Sequence, residues 1–122
     1  ALYQKAPLMP EGYMERKLGK GPSVCKEEPF TILLAHSPLY FDSYVRWGAD
    51  LTLAGHFHGG TIRIPGLGGV MTPQYQFFLP WCAGDFERNG KRMIVSRGLG
   101  THSINIRLNN RPQLVLIRLR RA

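Results

Sequence analysis

Two short apolar runs stand out in the first half of the chain. Residues 30–35, FTILLA, are apolar or β-branched at consecutive positions, and residues 49–55, ADLTLAG, show a similar pattern. Such runs predict strands that are covered on both faces of a sheet. Between them, residues 39–48, LYFDSYVRWG, space large apolar side chains at helical intervals and end on glycine, which predicts a short helix. The order strand, helix, strand predicts two parallel strands joined by a crossover.

The pattern changes after this region. Residues 61–81 are rich in glycine and proline and predict loops with short extended pieces. Residues 82–98 contain the pair Asn89-Gly90, which is typical of the tight turn of a β-hairpin. Residues 112–121, PQLVLIRLRR, predict a closing strand. The expected fold class is therefore α+β, with strands in the majority.

The length of the chain limits its domain organisation. With 122 residues it can bury one core, so we expect one domain or part of a larger one. Residues 1–29 are rich in proline, glycine and charge, with a weak helical pattern at 11–18. We expect a poorly packed lead-in or insert there, and an organised domain over residues 30–122.

Charge is distributed unevenly along the chain. The formal net charge is +8, and the segment from Arg88 to Ala122 holds nine Lys or Arg and no Asp or Glu. This predicts attraction to an anion, which the charge alone leaves open between a phosphorylated substrate, nucleic acid and an acidic membrane face. No apolar run is long enough to span a bilayer, and two cysteines are too few for a disulfide framework. We expect a cytoplasmic protein, with peripheral attachment to the inner face of the membrane as an alternative.

Three histidines follow the two predicted parallel strands. His36 comes after the first strand, and His56 and His58 come after the second, in the stretch GHFHGG. Because the carboxyl ends of adjacent parallel strands lie at one edge of a sheet, these side chains can converge there. Neutral imidazole is a ligand for ions such as Zn, Mn or Fe. A single histidine after a strand is more often structural, but three at consecutive strand ends favour a metal site.

Glycines surround the histidine pair. If the backbone stays extended, His56 and His58 point to the same side of the strand. If the backbone turns, they approach neighbouring ions from two angles. Gly55, Gly59 and Gly60 permit such a turn and let the chain pass close to a ligand. Gly59 and Gly60 are therefore expected to contact the substrate.

Four segments in a fixed order resemble a known family. They are ILLAHSPLYFD, ADLTLAGHFHGGTIRIPG, SRGLGT and PQLVLIRL. Together, over about residues 30–120, they resemble the C-terminal half of calcineurin-like metallophosphoesterases. The set is most similar to the bacterial membrane-associated branch that includes YkuE-type phosphoesterases and UDP-diacylglucosamine pyrophosphohydrolases. The resemblance implies a sandwich of two mixed β-sheets with flanking helices, and a phosphoesterase or pyrophosphatase activity.

The resemblance also implies roles for individual residues. It assigns His36 and His56 to one divalent metal ion and His58 to a second, with Mn, Zn or Fe as the metal and hydrolysis by an activated water. Arg63 could bind phosphate or pyrophosphate oxygens through two parallel hydrogen bonds. A surface arginine on a loop is an equally good interpretation of Arg63.

The N-terminal motifs of this family do not occur in the sequence. The family's DxH, GDxxD and GNH motifs supply the bridging carboxylate, further ligands and the catalytic acid. Here the aspartates are Asp42, Asp50 and Asp85, and none is followed by X-His. Without a bridging carboxylate, two ions cannot be held close together. We therefore expect at most one ion on this chain alone, and an inactive half-site that the missing N-terminal half would complete.

The expected partners follow from the enzyme hypothesis. They are a phosphorylated small molecule or a lipid-linked diphosphate, an anionic membrane surface, and the missing half of the domain. Unpaired strand edges also predict self-association.

Two other functions fit the sequence. In one, the basic strands hold nucleic acid and the histidines are structural, although the aromatic residues are not interleaved with the arginines. In the other, the chain is a non-catalytic interaction domain that keeps a phosphoesterase-like fold.

Overall fold

A computed structural model describes residues 5–22, 29–60, 62–71, 77–100 and 107–121. In chain order its elements are α1 (Tyr13–Leu18), β1 (Ile32–Leu34), a 3₁₀ turn (Pro38–Tyr40), α2 (Phe41–Trp47), β2 (Leu51–Ala54), β3 (Ile62–Ile64), β4 (Gly68–Met71), β5 (Gly84–Arg88) and β6 (Lys91–Val95). The predicted α+β fold with strands in the majority is confirmed. No helix within the described ranges is long and apolar enough to cross a membrane.

The larger sheet has the strand order β1-β2-β6-β5. Strands β1, β2 and β6 are parallel, with Ile32 opposite Leu51 and Leu51 opposite Arg92, and β5 is antiparallel to β6. The predicted parallel pairing of β1 and β2 across the α2 crossover is confirmed. Because three neighbouring strands run in the same direction, the residues that follow them share one edge of the sheet.

Strands β5 and β6 form the predicted hairpin. Asn89 has φ 52° and Gly90 has φ 72°, as a tight turn between twisted strands requires. Asparagine tolerates this left-handed conformation better than most side chains do. The hairpin supplies Met93 and Val95 to the core, where they pack with Phe41 of α2 and Ala54 of β2.

Strands β3 and β4 form a separate two-stranded antiparallel sheet. It is joined to a later part of the chain, because the backbone N–H of Arg63 donates to the carbonyl of Leu108 at 3.1 Å. Residues 61–81 thus contain the short extended pieces that the sequence predicts.

One face of β1 is open, which corrects the prediction for this run. Ile32 is 42% exposed and Leu34 is 77% exposed, so the strand is not covered on both faces by the residues that the structure describes. The reason is position, since β1 lies at the edge of the sheet whereas the equally apolar β2 lies inside it. In β2, Leu51 and Thr52 are buried as predicted.

The predicted closing strand at 112–121 is wrong. The described residues of this segment adopt no strand conformation, and Leu114 and Leu116 are 83% and 84% exposed. A strand requires a hydrogen-bonded neighbour along its length. Gln113 N–H donates to the carbonyl of Gly98 at 3.0 Å, but no described strand continues this pairing.

Helix α1 packs against α2. Met14 is buried, the N–H of Met9 donates to Ser43 Oγ at 2.9 Å, and Trp47 Nε1 donates to the carbonyl of Gly19 at 3.1 Å. The helical pattern predicted at 11–18 is therefore present as α1. The domain boundary predicted at residue 30 stays a prediction.

Asp50 connects three strands of the larger sheet at their N-terminal ends. Its carboxylate accepts hydrogen bonds from Lys91 Nζ at 2.6 Å and from the N–H of Thr31 at 2.8 Å. Burial tends to raise the pKa of Asp50, but these two hydrogen bonds outweigh it and leave the pKa below its usual value. A lowered folded-state pKa stabilises the fold above the unfolded-state pKa, and this stabilisation disappears as the pH falls through the folded-state pKa.

Asp50→Asn is expected to lower the free energy of unfolding at pH 7 by about 1 kcal/mol, a modest value because the carboxylate is partly exposed. The difference from the wild type should shrink as the pH falls below about 4. Urea denaturation followed by circular dichroism at pH 7 and pH 3 measures both values. Asp85→Asn is the control and should change the stability little, since the Asp85 side chain is 57% exposed and lies 3.5 Å from Arg92. An equal loss for Asp50→Asn at both pH values would contradict this role.

Candidate functional site

The carboxyl ends of β1 and β2 bring His36 and His56 together. Their ring centroids are 4.3 Å apart, with the ring planes inclined at 60°. The backbone holds the two positions in register, because Gly55 N–H donates to the carbonyl of His36 at 3.3 Å. His36 is exposed and His56 is half-buried. Parallel strand pairing thus produces a pair of neighbouring imidazoles at one edge of the sheet.

The backbone turns sharply at the second and third histidines. His56 has φ 72° and His58 has φ 50°, followed by Gly59 at 75° and Gly60 at 89°. Of the two backbone conformations that the sequence left open, the chain thus adopts the turned one and not the extended one. Left-handed conformations cost a non-glycine residue of order 1–3 kcal/mol, and they persist where the surroundings enforce them, often at functional sites.

A buried phenylalanine anchors this turn. Phe57, between the two histidines, is 1% exposed and packs in a cluster with Leu79 and Cys82. Its carbonyl accepts a hydrogen bond from Gly60 N–H at 2.8 Å. The apolar side chain fixes the turn, while the flanking His56 and His58 stay only half-buried.

His58 contacts a different part of the site. Its Nδ1 lies 3.0 Å from the carbonyl oxygen of Gly100 and 3.3 Å from Nη2 of Arg107. Within the described ranges, no group of three or more His, Cys, Asp or Glu side chains is arranged to hold a metal ion. The structure thus pairs the rings of His36 and His56, and the assignment of His36, His56 and His58 as metal ligands stays a prediction.

The His36–His56 pair is suited to a divalent ion of intermediate hardness. Imidazole nitrogen is a good ligand for Zn, Mn or Fe, and both rings are carried by the ends of paired strands, which limits their movement. Two imidazoles are only part of a coordination shell, so further ligands must complete it.

Arg63 lies between residues 56–60, here called the histidine turn, and an apolar cleft. In β3, its Nη1 donates to the carbonyl of Gly59 at 3.0 Å. Arg63 also lines a cleft of about 500 Å³ whose walls include Leu79, Trp81 and Phe86. Gly59 and Gly60 are buried. That Arg63, Gly59 and Gly60 bind substrate stays a prediction.

Sequence reasoning missed two residues of this site. Asn110 is 1% exposed, and its Nδ2 donates to the carbonyls of His58 at 2.6 Å and Gly60 at 2.5 Å. Arg107 donates from Nη2 to the carbonyl of Arg97 at 3.1 Å and from Nη1 to that of Gly98 at 3.5 Å. Asn110 is 52 positions from His58, so no local sequence signal identifies the contact.

Cys82 lies in the wall of the apolar cleft. It is 7% exposed, and its thiol donates to the carbonyl of Leu79 at 3.2 Å. Burial raises the pKa of the Cys82 thiol to about 11, although Arg63 acts in the opposite direction. The thiolate, which is the reactive form, is therefore scarce at neutral pH.

We expect Cys82 to react with iodoacetamide at pH 8 about 100-fold more slowly than an unperturbed cysteine, because its thiolate fraction is that much smaller. Mass spectrometry of a Cys25→Ser variant measures this rate for Cys82 alone. The control is the reaction rate of the same variant unfolded in 8 M urea, to which the rate of the folded protein is compared. Equal rates in folded and unfolded protein would show that burial does not protect the thiol.

Three curated proteins are similar to this chain. It is 31% identical over 91 residues to the uncharacterized metallophosphoesterase YkuE of Bacillus subtilis, which covers 75% of this chain and 31% of YkuE. It is 28% identical to the uncharacterized metallophosphoesterase YkoQ of the same organism, over 72% of this chain and 33% of YkoQ. It is 30% identical to the phosphodiesterase YaeI of Escherichia coli, over 78% of this chain and 36% of YaeI.

These matches cover only part of each relative. The chain spans about a third of the length of the curated relatives it matches. No family model matches the chain, and no solved structure does.

Proposed function

Because the similarity to metallophosphoesterases confirms the family resemblance over about three quarters of the chain, we propose that this chain is the C-terminal part of a metal-dependent phosphoesterase domain. Its contribution is the imidazole ligands of the metal site. The observation that carries this proposal is the His36–His56 ring pair at the carboxyl ends of two adjacent parallel strands.

His36 and His56 would hold one divalent ion, and His58 would be a ligand of a second ion in the complete domain. Such ions, when bound, lower the pKa of a water molecule and polarise a phosphate group. Arg63 would bind a phosphate oxygen. Its guanidinium has five N–H donors, and its described hydrogen bond to the Gly59 carbonyl uses one of them.

The proposed substrate is a phosphorylated small molecule or a lipid-linked diphosphate. The apolar cleft beside Arg63 supports a substrate that combines an anionic group with an apolar one. The net charge of +8 supports attraction to the anionic group. The same charge supports a cytoplasmic protein that binds the anionic inner face of a membrane.

The chain alone is proposed to be inactive. The family's carboxylate motifs are missing from its sequence, so a second segment must supply the bridging ligand. The exposed apolar side chains of Ile32 and Leu34 on the edge strand support contact with that segment or with a second copy of the chain.

Hydrolysis of bis-p-nitrophenyl phosphate with Mn²⁺ tests this function. Residues 1–122 alone should show no rate above that of Mn²⁺ in buffer. The chain fused to an N-terminal segment that carries the carboxylate motifs should be active, and His58→Ala should reduce that activity at least about 100-fold.

Two results would contradict the proposal. If residues 1–122 hydrolyse the ester and lose that activity with His58→Ala, the chain is not a half-site. If the longer chain is active and His58→Ala has no effect, His58 is not part of the metal site.

A further inference from the structure

One short segment, residues 107–110, contacts His58 at both its backbone and its ring. The Asn110 amide is buried, and its Nδ2 donates to the carbonyls of His58 and Gly60. An amide NH₂ group has two hydrogens, so both are directed at the same turn. The two carbonyls flank Gly59, whose φ of 75° is left-handed. Asn110 thus satisfies two acceptors of a turn that local sequence does not enforce.

Arg107 organises the carbonyl that contacts the ring. Its Nη2 donates to the carbonyls of Arg97 and Gly100, and its Nη1 donates to that of Gly98. The two hydrogens of Nη2 are therefore both directed at carbonyl oxygens. Nη2 also lies 3.3 Å from His58 Nδ1, farther than the 3.0 Å that separates this Nδ1 from the Gly100 carbonyl oxygen, so the carbonyl is the nearer partner of the ring.

The tautomer of His58 follows from this arrangement. Nδ1 lies 3.0 Å from the carbonyl oxygen of Gly100, which can only accept a hydrogen bond. This contact favours the tautomer in which Nδ1 carries the proton in the neutral ring, which leaves the lone pair on Nε2. A hydrogen bond of one ring nitrogen to a backbone carbonyl is a common way to set which nitrogen faces a metal ion.

We propose that Asn110 and Arg107 are positioning residues for His58. Asn110 fixes the backbone of the histidine turn, and Arg107 fixes the Gly100 carbonyl that holds the proton on Nδ1. The relevance of this arrangement to metal binding rests on the proposed function, whereas the tautomer itself does not depend on it.

The test is ¹⁵N NMR of the histidine rings in the metal-free full chain at pH 8, where unperturbed histidine is neutral. The signals of His58 are assigned by their loss in His58→Ala. The wild type should show a protonated Nδ1 and an unprotonated Nε2 for His58. Arg107→Lys should shift His58 toward the mixture of tautomers seen in free histidine, because a single ammonium nitrogen cannot reproduce the separate contacts of Nη1 and Nη2 with the loop carbonyls.

Asn110→Asp replaces Nδ2 and its two N–H donors by one carboxylate oxygen, which would face the carbonyls of His58 and Gly60. It should displace the backbone amide signals of His58 and Gly60 and disturb the ring signals of His58. Asn109→Asp is the matched control, because Asn109 is the exposed neighbour and also has a left-handed φ, of 54°. It should leave the His58 signals unchanged. If circular dichroism shows that Asn110→Asp is unfolded, Arg107→Lys decides.

A proton on Nε2 of His58 in the wild type would overturn the proposal, as would unchanged His58 ring signals in Arg107→Lys. Adding Zn²⁺ to the same samples separates this proposal from the function. If Zn²⁺ changes no histidine signal while the expected tautomer is present, the metal-binding function is contradicted and the positioning of the ring is supported.

Discussion

Gly59→Ala is expected to lower the free energy of unfolding by about 2–4 kcal/mol. Gly59 has φ 75°, a conformation that is unfavourable for alanine. The added Cβ would lie 2.8 Å from Oδ1 of the buried Asn110 and would also contact the side chain of Arg97. Asn110 cannot retreat without weakening its hydrogen bonds to the carbonyls of His58 and Gly60, and Arg97 cannot without weakening its hydrogen bond to Gln113. Urea denaturation followed by circular dichroism measures the loss.

Gly55→Ala is the matched control for this prediction. Gly55 lies at the other end of the same turn, but an added Cβ there would lie 3.9 Å from the carbonyl oxygen of Ser96, an ordinary contact distance. We expect a change within about 0.5 kcal/mol, since open positions tolerate this substitution well. Equal losses of stability in Gly55→Ala and Gly59→Ala would contradict the prediction, because they would show that the close contacts of Gly59 are not the cause.

His36→Ala and His56→Ala are each expected to weaken Zn²⁺ binding more than about 100-fold, because each removes one of two neighbouring imidazole ligands. Isothermal titration calorimetry at pH 7.5 on residues 1–122 measures the affinity. Glu87→Ala is the control, since Glu87 is an exposed carboxylate of β5 that pairs with Arg92 at the opposite edge of the sheet.

His58→Ala should have a smaller effect on this Zn²⁺ affinity. The Nδ1 atom of His58 lies against the Gly100 carbonyl and the Arg107 guanidinium, on the loop that follows β6. If Glu87→Ala weakens binding as much as His56→Ala does, the ion is not bound at the strand ends. If His36→Ala has no effect, the ring pair is not the metal site.

Local patterns predicted the elements that depend on neighbouring residues. The apolar run and the helix after it are enough to predict the β1–α2–β2 unit, because a parallel pair requires a crossover. The pair Asn89-Gly90 likewise determines the β5–β6 turn, since few other residues adopt two left-handed conformations in succession.

Features that depend on distant residues were not predictable. An edge strand and a central strand have the same apolar pattern, so the sequence does not show that Leu34 is exposed while Leu51 is buried. Residues 112–121 have the composition of a strand, but pairing depends on a partner strand that composition does not identify.

The candidate site, like the fold, was only partly predictable from the sequence. Parallel strand ends bring His36 and His56 together, as expected from their positions. The glycines beside His58 permit an extended or a turned backbone, so the sequence left both open. The turn is enforced by Phe57 and Asn110, and the contacts of Asn110 cross 50 or more positions of the chain.

Anomalous diffraction tests the central claim most directly, namely that the strand-end histidines hold a divalent metal ion. A crystal of residues 1–122 soaked in Zn²⁺ should give an anomalous peak between the rings of His36 and His56, with Zn–N distances of about 2.0–2.1 Å. The same soak of His56→Ala should give no peak there. A Zn²⁺ peak elsewhere on the chain, with none beside His36 and His56, would contradict the account.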